Sequence, residues 1–296
     1  MQILFLGTSS MVPTKERNQS GILISYGSEG ILVDCGEGIQ RQLKIADVKL
    51  TKITKILISH WHGDHVLGLP GLIQSMNSAE YGKVLQIYGP KGTKKFMKKM
   101  LEVFLFDRKM DLKVNDVASG RFFEGDEFIL ESKKLEHSVE TLGYSFIEKD
   151  RRKINLNFIK KIGIPDGPLL GKLQSGKDVF WKDVKIKSDE ATNVIKGKKI
   201  TIVTDTVPCN GAYELAKDSD LLVCEATYSS DLENKAVDYG HMTSKQAAEL
   251  ANRSNSKRLI LTHFSARYKN ESELEEDAKN YFYNVSCARD FMKVDI

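Results

Sequence analysis

Short apolar runs that end at Gly, Ser or charged residues recur along the chain, a pattern that is typical of β-strands. The predicted strands are Ile3–Leu6, Gly21–Tyr26, Ile31–Val33, Ile53–Ile58, Val84–Tyr88, Phe128–Lys133, Tyr144–Glu148, Ile200–Val203, Leu221–Cys224 and Arg258–Thr262. Segments with apolar residues at approximately helical spacing lie between them. The predicted helices are Glu37–Asp47, Val66–Met76, Gly92–Phe104, Gly211–Lys217, Thr243–Asn252 and Glu271–Tyr281. Strand-rich halves with intervening helices predict an α/β fold of two packed sheets flanked by helices.

The section Arg151–Asp189 interrupts this pattern. It is rich in Lys and Arg, contains the turn cluster Gly163–Pro168, and offers only one short helix, near Asn155–Ile162. Long irregular insertions in compact domains are more often functional or disordered than accidental. We therefore expect a single domain over residues 1–296 with a basic insertion over residues 151–189.

Composition narrows the class of protein only slightly. Hydrophobic residues make up 41% of the chain and charged residues 28%, which is typical of a globular protein. The net charge of +4 permits a nucleic-acid partner but does not argue for one. The four scattered cysteines predict reduced, buried thiols, and no apolar stretch approaches the roughly 20 residues that span a bilayer. With no basic leader at the N-terminus, we expect a cytoplasmic protein without a membrane segment.

The placement of the histidines is the strongest chemical signal. Three of the six lie within six residues, as His60, His62 and His65, with Asp64 among them, directly after a predicted strand. Imidazole and carboxylate are the ligands that zinc prefers where thiolates are absent. The alternative is three satisfied or surface histidines, but such a density with an Asp inside it rarely arises by chance. The sequence therefore predicts a metal site.

Three further residues also follow predicted strands: His137, Asp205 and His263. This ordered set resembles the metal-binding signature of the metallo-β-lactamase superfamily, whose fold is a four-layer αββα sandwich. The resemblance implies two zinc ions per subunit. One would be held by His60, His62 and His137 and the other by Asp64, His65 and His263, with Asp205 bridging both. Zinc is the default for this ligand set, although manganese or iron would also fit.

Within that superfamily, five segments resemble the RNase Z family of tRNA 3′-processing endoribonucleases. The first is Asp34–Gln42, in which Asp34 would orient the metal-binding loop, although an Asp turn before a Gly is an alternative reading. The second pairs Cys224–Thr227 with His241–Thr243. The resemblance implies that Glu225 orients His241 beside the scissile phosphate, while the alternative for His241 is a helix-capping contact. Cys224 and Met242 depart from the usual His and Ser of this family.

The other segments imply contacts with RNA. Pro13–Asn18 is similar to the PxKxRN loop of this family, so Lys15 and Arg17 would bind phosphates near the acceptor end of tRNA. The insertion resembles the family's exosite arm, a protruding element that clasps the tRNA elbow, with Lys160, Lys161, Lys172 and the pair Gly167–Pro168 as its contacts. The closing segment Leu259–Tyr268 is similar to the family's terminal motif, and Arg267 would add a phosphate contact.

These resemblances imply a zinc-dependent endoribonuclease that removes the 3′ trailer from precursor tRNA after the discriminator nucleotide and leaves a 3′-hydroxyl. Asp64 would be both ligand and general base, and His241 with Glu225 would serve the leaving oxygen. The family also implies a homodimer. The nearest alternative is a small-substrate phosphodiesterase or arylsulfatase of the same fold, because fold alone does not decide chemistry. A non-catalytic RNA-binding relative would be expected to lack ligands, and none is missing.

Overall fold

The computed structural model describes residues 1–106 and 109–296. The first part of the chain forms β1 (Gln2–Gly7), β2 (Gly21–Tyr26), β3 (Glu29–Val33), α1 (Ile39–Ile45), β4 (Ile53–Leu57), α2 (Gly63–Val66), α3 (Leu69–Ser78), β5 (Val84–Gly89), α4 (Thr93–Val103), β6 (Asp111–Asp116) and β7 (Gly120–Glu124). Next come β8 (Phe128–Leu135), β9 (Thr141–Glu148), β10 (Arg151–Ile154), α5 (Leu156–Ile162), α6 (Pro168–Gln174), β11 (Val179–Trp181), β12 (Val184–Ile186), α7 (Ser188–Ala191) and β13 (Thr192–Ile195). The last part forms β14 (Lys199–Val203), α8 (Asn210–Ala216), β15 (Leu221–Glu225), α9 (Glu233–Asp238), α10 (Ser244–Arg253), β16 (Leu259–Thr262), α11 (Ser272–Lys279), β17 (Val285–Cys287) and β18 (Lys293–Asp295).

Two seven-stranded sheets contain most of the strands. The first has the order β18-β1-β2-β3-β4-β5-β6, and the second has the order β17-β16-β15-β14-β9-β8-β7. Strands β3 to β6 run parallel to one another, as do β14 to β17. In both parallel sets the carboxyl ends of the strands therefore reach the same edge of the sheet, where ligands bind in α/β proteins.

Each sheet has an apolar layer against helices on one face. On the first sheet, buried residues of α1, α3 and α4 such as Leu43, Leu72 and Met97 pack with strand residues such as Ile56. On the second sheet, α8, α10 and α11 provide the corresponding cover. The other faces of the sheets meet, because the Tyr144 hydroxyl donates a hydrogen bond to the Ile58 carbonyl at 2.7 Å. The predicted αββα arrangement is confirmed.

The chain divides into two compact units. The first comprises Met1–Glu124, Leu130–Phe146 and Lys199–Ile296, and the second comprises Gly125–Ile129 and Ile147–Lys198. The predicted insertion over residues 151–189 falls inside the second unit. That unit has a small core of its own, to which Ile159, Ile164 and Leu173 contribute.

The prediction of a single short helix in Arg151–Asp189 was wrong. Besides α5, the section contains α6, α7, the paired strands β11 and β12, and β10, which pairs with β13. Its apolar residues point into one small core from elements of three to seven residues. Elements so short span less than two helical turns, so they produce no readable period in the sequence.

The helix predicted over Val66–Met76 is also different in the structure. It is divided at Leu67 and Gly68, so that α2 ends at Val66 and α3 begins at Leu69. At this point the Gly68 amide donates to the Cys35 carbonyl at 2.9 Å instead of within the helix, and Pro70 has no amide hydrogen to donate. Among the described residues, no helix is long and apolar enough to cross a bilayer. All four cysteines are free and buried, as predicted.

Candidate metal centre

Strand ends bring the predicted metal ligands together. His60 follows β4, His137 follows β8, Asp205 follows β14 and His263 follows β16, while Asp64 and His65 lie in the short helix α2. Their side chains form two groups in which all ligand atoms lie within 4.8 Å of one another. One group is His60, His62, His137 and Asp205, and the other is Asp64, His65, Asp205 and His263. The structure therefore joins all seven predicted ligands and divides them as the resemblance implied.

Asp205 belongs to both groups through different oxygens. Its Oδ2 lies 3.7 Å from His60 Nε2 and 4.0 Å from His137 Nε2. Its Oδ1 lies 3.4 Å from His65 Nε2 and 3.2 Å from His263 Nε2. A carboxylate held in this way can bridge two cations, one on each side.

Hydrogen bonds outside the two groups fix the tautomers of four imidazoles. His65 Nδ1 lies 2.7 Å from Asp34 Oδ2, and His137 Nδ1 lies 2.9 Å from the Gly240 carbonyl oxygen. Because a carboxylate and a carbonyl can only accept, both Nδ1 atoms carry the proton. In a neutral imidazole, Nε2 then carries a lone pair that is directed into the cluster.

Two hydroxyl groups act in the same way on the other pair. Ser59 Oγ donates to Asp34 Oδ2 at 2.8 Å, so it accepts from His60 Nδ1 at 3.0 Å. Thr227 Oγ1 donates to Glu225 Oε2 at 2.7 Å, so it accepts from His263 Nδ1 at 3.1 Å. Partners of this kind orient metal-binding histidines and raise their basicity.

The cluster has the chemistry of a cation site. His65 Nε2, His263 Nε2 and Asp205 Oδ1 are buried and have no hydrogen-bond partner. His65 Nε2 lies 3.3 Å from Asp64 Oδ2, so the lone pair of a neutral imidazole would face a carboxylate oxygen. Such acceptors repel each other unless positive charge lies between them.

The spacing of the ligand atoms also suits zinc. With metal–ligand bonds of roughly 2.0–2.2 Å, neighbouring ligands of a tetrahedral ion lie about 3.3 Å apart. His60 Nε2 and His62 Nδ1 are 3.0 Å apart, and His137 Nε2 and His62 Nδ1 are 3.3 Å apart. His263 Nε2 and Asp64 Oδ2 are 3.4 Å apart. The residues therefore fit a pair of metal ions.

The ionisation of the His and Asp side chains also favours a bound cation. Burial alone would raise the pKa of Asp205, but the neighbouring His263, His65 and His60 hold it well below its usual value. Burial would lower the pKa of His65, yet Asp205 and Asp34 raise it well above its usual value. The carboxylates thus favour positive charge at His65 Nε2, which a proton or a metal ion can supply.

Three residues at the site have backbones in the left-handed region. Asp34, Asp205 and His263 have φ angles of 59°, 39° and 61°. Residues other than glycine adopt this conformation at a cost of about 1–3 kcal/mol, and such outliers gather at functional sites. Each of the three follows a strand directly or after one residue, so the strand fixes the direction in which its side chain points.

His241 and Glu225 lie beside the cluster, as the sequence predicted. His241 Nδ1 donates to Glu225 Oε1 at 3.1 Å, and Glu225 itself is fully buried. Burial lowers the pKa of His241, but Glu225, Asp205 and Asp64 raise it to about 9. Although Glu225 and His241 also group with His263, the carboxylate of Glu225 is already satisfied by Thr206, Thr227 and His241.

Sequence reasoning missed the residues that hold the ligands rather than bind metal themselves. Thr227 and Ser59 fix ring tautomers, and Gly240 accepts from His137. Gly240 has a φ of 73°, and a Cβ there would lie 2.7 Å from His137 Nδ1. The only signal in the sequence was adjacency, since Ser59 precedes His60 and Gly240 precedes His241.

The predicted RNA contacts have different surroundings. Lys15, Lys160, Lys161, Lys172 and Arg267 are exposed. Gly167 has φ 158° and ψ −168°, a conformation essentially reserved for glycine, and Pro168 begins α6.

Arg17 does not have the exposure that a phosphate contact requires. It is 3% exposed, and its Nη1 donates to Glu271 at 3.0 Å while its Nη2 donates to the Tyr268 carbonyl at 2.6 Å. Its guanidinium is used to hold the loop Pro13–Asn18 against the segment that follows His263. The expectation that Arg17 binds a phosphate is corrected accordingly.

The cluster of His and Asp side chains lies in a cleft of about 720 Å³. The lining of the cleft includes His62, Asp64, His137, Asp205, His241 and His263. It also includes loop residues that follow β1 and residues at the end of α9. A cleft of this size can accept a nucleotide with its phosphate at the cluster.

Comparison with known proteins assigns the family. Ribonuclease Z of Archaeoglobus fulgidus is 38% identical over 300 residues, which cover 100% of this chain and 97% of that protein. Ribonuclease Z of Bacillus cereus is 41% identical over 299 residues, with 98% and 97% covered. The chain belongs to the ribonuclease Z family.

Structural neighbours of this ribonuclease Z family member agree. The crystal structure of human tRNase Z, short form, has a TM-score of 0.74 at 28% identity, covering 100% of this chain and 99% of that one. The metallo-β-lactamase fold protein YhfI of Bacillus subtilis has a TM-score of 0.72 at 18% identity, which supports the fold alone. The chain also matches the beta-lactamase superfamily domain over residues 185–264 and the anti-Pycsar protein Apyc1 family over residues 1–147. The predicted fold and family are confirmed.

Proposed function

We propose that this member of the ribonuclease Z family removes the 3′ trailer from precursor tRNA. Cleavage would fall after the discriminator nucleotide and leave a 3′-hydroxyl on the tRNA. The main support is the convergence of two His and Asp groups that share Asp205 at the floor of a cleft. Similarity to proteins named ribonuclease Z over the whole chain supports the substrate class.

We propose two zinc ions as the cofactor. One would be held by His60, His62 and His137, the other by Asp64, His65 and His263, and Asp205 would contact both. When bound, such a pair lowers the pKa of water towards neutrality and neutralises charge on the phosphate. The ligand set of imidazoles and carboxylates supports zinc, and metal analysis of the purified protein tests the identity and the number of the ions.

The protein's own residues would move the protons. The pKa of Asp64 is kept low, because hydrogen bonds and charge from His263 and His65 outweigh the effect of burial. Asp64 is therefore ionised and would orient the attacking water. We propose from the family likeness that it also takes the proton of this water, since a low pKa by itself makes a carboxylate a weaker base. As the new oxygen–phosphorus bond forms, the bond from phosphorus to the tRNA O3′ breaks. His241, protonated and oriented by Glu225 through Nδ1, would donate its Nε2 proton to O3′.

The basic second unit supports recognition of RNA. Residues 147–198 of this unit contain 13 Lys and Arg and seven Asp and Glu, a net charge of +6, and Asp126 and Glu127 in its other segment bring the whole unit to +4. Exposed Lys160, Lys161 and Lys172 lie in or near the last turns of α5 and α6. We propose that they bind the tRNA backbone, with Gly167–Pro168 shaping the intervening turn, and that Lys15 and Arg267 bind phosphates near the cleft.

The cellular compartment and the oligomeric state of the protein are also proposals. Four free, buried cysteines support a reducing compartment, and we propose the cytoplasm. We propose a homodimer from the family likeness, and light scattering at micromolar concentration would test it. A monomer at every concentration would contradict the proposed assembly without affecting the proposed chemistry.

A cleavage assay tests the proposed function directly. Purified protein is incubated with 5′-labelled precursor tRNA, with and without a chelator, and the product ends are mapped. We expect one product that ends at the discriminator nucleotide with a 3′-hydroxyl, and loss of cleavage with the chelator that added zinc restores. Asp64→Ala and His65→Ala should abolish cleavage. Cleavage that survives in either variant would refute the proposed mechanism.

Charge reversal separates tRNA processing from hydrolysis of small phosphodiesters. In the triple variant Lys160→Glu, Lys161→Glu and Lys172→Glu, we expect kcat/KM for precursor tRNA to fall by roughly tenfold or more. Hydrolysis of bis(p-nitrophenyl) phosphate should not change. The matched control reverses Lys94, Lys95 and Lys99, which are exposed on α4. Equal losses on both substrates, or equal losses in the control, would count against tRNA binding by this unit.

A further inference from the structure

Two tyrosines that line the cleft and two neighbouring cations form a continuous array. The Arg267 guanidinium lies over the Tyr228 ring, with Cζ 5.1 Å from the ring centroid. Lys235 Nζ lies 6.0 Å from the Tyr228 centroid and 5.9 Å from the Tyr239 centroid. These distances lie within the range of cation–π contacts. The order Arg267, Tyr228, Lys235, Tyr239 thus alternates positive charge and aromatic faces.

The helix α9 sets this arrangement. Lys235 and Tyr239 are four residues apart, so they share one face of the helix and its end. The Tyr239 amide donates to the Lys235 carbonyl at 3.2 Å, which continues the helical turn as far as Tyr239. Gly240 follows Tyr239, and its carbonyl accepts a hydrogen bond from His137. The next residue is His241, which lies beside the cluster of His and Asp side chains. The backbone therefore ties the array to the site.

Tyr239 is largely exposed, so packing within the protein does not account for an aromatic residue at this position. Its side chain is 61% exposed, whereas Tyr228 is 7% exposed and belongs to the buried part of the site. Tyr228 and Tyr239 line the same cleft as Asp64, Asp205 and His241. Met11 and Val12, which also line the cleft, are 55% and 58% exposed. Apolar and aromatic side chains therefore line part of a cleft whose other side chains are polar.

This chemistry matches a single-stranded nucleic acid. Unpaired bases stack on aromatic rings, while neighbouring cations bind the phosphates that connect them. A double helix offers no free base face to a side chain in this position. A small phosphodiester would leave the outer part of the array, Lys235 and Tyr239, without a contact.

We propose that Tyr239 and Lys235 form a subsite for an unpaired nucleotide beside the scissile phosphate. Tyr239 stacks on the base of one of the two nucleotides that flank the cleaved bond, and Lys235 binds the adjoining phosphate next to Arg267. This subsite rests on the proposed function, because it deepens the recognition of the same RNA. It makes Tyr239 a positioning residue for the single-stranded 3′ end.

The experiment combines variants with abasic substrates. Precursor tRNA is prepared intact and with an abasic site at the discriminator or at the first trailer nucleotide. For Tyr239→Ala we expect kcat/KM on the intact substrate to fall by roughly tenfold, mainly through KM. On one of the two abasic substrates the wild type should lose the same factor, and the variant should lose nothing further. Tyr239→Phe retains the ring and should remain close to wild type.

Controls separate stacking from folding and from the proposed function. Tyr283→Ala removes a tyrosine that is 93% exposed and lies outside the cleft lining, and it should cleave normally. Lys235→Ala should reduce the salt dependence of KM by about one phosphate contact. If Tyr239→Ala cleaves intact substrate like wild type, or loses the same factor on both abasic substrates, the subsite is refuted. If wild type does not cleave precursor tRNA at all, the proposed function fails instead.

Discussion

Asp34 offers the sharpest test of how the metal centre is built, because it contacts the ligands without belonging to either ligand group. It is 1% exposed and accepts from the Ser59 amide at 2.7 Å, from the Ser59 hydroxyl at 2.8 Å and from His65 Nδ1 at 2.7 Å. The substitution Asp34→Asn preserves the shape of the side chain. Asparagine also tolerates the φ of 59° at this position, so the backbone should not change.

The physical effect falls on the tautomer of His65. The carboxylate accepts from the Ser59 amide through Oδ1 and from the Ser59 hydroxyl and His65 Nδ1 through Oδ2, whereas an amide has one acceptor oxygen and cannot accept on both sides. If the amide nitrogen faces His65, Nδ1 must become the acceptor, and the ring proton moves to Nε2, where it blocks the metal. A hydrogen bond to a charged group is worth about 1.5–3 kcal/mol, which corresponds to roughly 10- to 150-fold in affinity. We expect metal affinity and kcat/KM to fall within that range, in line with other outer partners of metal-bound histidines.

Metal content and chelator competition measure this loss, alongside cleavage of precursor tRNA. Asp47→Asn is the matched control, since Asp47 is exposed and has a similar φ of 55°. It should bind metal and cleave like wild type. Wild-type metal affinity in Asp34→Asn would refute the tautomer argument. If Asp47→Asn loses as much metal affinity, the effect comes from the backbone conformation rather than from the tautomer of His65.

Three further predictions concern other parts of the site and its supports. Gly240→Ala should lower metal occupancy and kcat/KM by roughly tenfold or more, because the new Cβ would lie 2.7 Å from His137 Nδ1; full occupancy by metal analysis would contradict this. Arg17→Ala should lower the free energy of unfolding by about 3 kcal/mol in urea titrations, because the Glu271 carboxylate would remain buried without its main partner. Unchanged stability with weaker tRNA binding would restore Arg17 as a phosphate contact. Burial raises the pKa of Asp290 from 3.8 to about 6. Its contribution to stability is therefore complete below pH 3.8 and is lost as the pH rises through about 6. Between pH 4 and 7 the wild type should lose about 2–3 kcal/mol of unfolding free energy that Asp290→Asn does not lose, and parallel curves would refute the shift.

The residues of the candidate metal site could be predicted from the sequence because much of the signal is local. His60, His62, Asp64 and His65 are close neighbours along the chain, and β4 ends just before them. His137, Asp205 and His263 could be added from residue type and from their positions after apolar runs. The strands themselves were predictable because each has a buried core of β-branched or leucine residues.

The geometry was less predictable, because it depends on residues that are distant in sequence. The residues near Arg17 give no indication of Glu271, its partner 254 residues away. The sequence therefore predicts a phosphate contact for an arginine that the structure pairs with Glu271. The strands β6, β7, β17 and β18 were missed as well, since they are short or carry charged residues. The second unit was misjudged for the same reason, because its small core becomes visible only once its elements are assembled.

One physical condition connects the strained backbones, the fixed tautomers and the buried carboxylates. Asp34, Asp205 and His263 adopt unfavourable φ angles, and Asp205 Oδ1 lies 3.4 Å from His65 Nε2 and 3.2 Å from His263 Nε2 without a hydrogen bond to either. Each of these features costs free energy in the protein alone. Their common location at the carboxyl ends of β3, β14 and β16 allows the surrounding strands to hold them in place. A cation would be coordinated by all of these acceptors, which would remove the repulsion between them. The arrangement that lowers the stability of the protein alone would therefore strengthen metal binding.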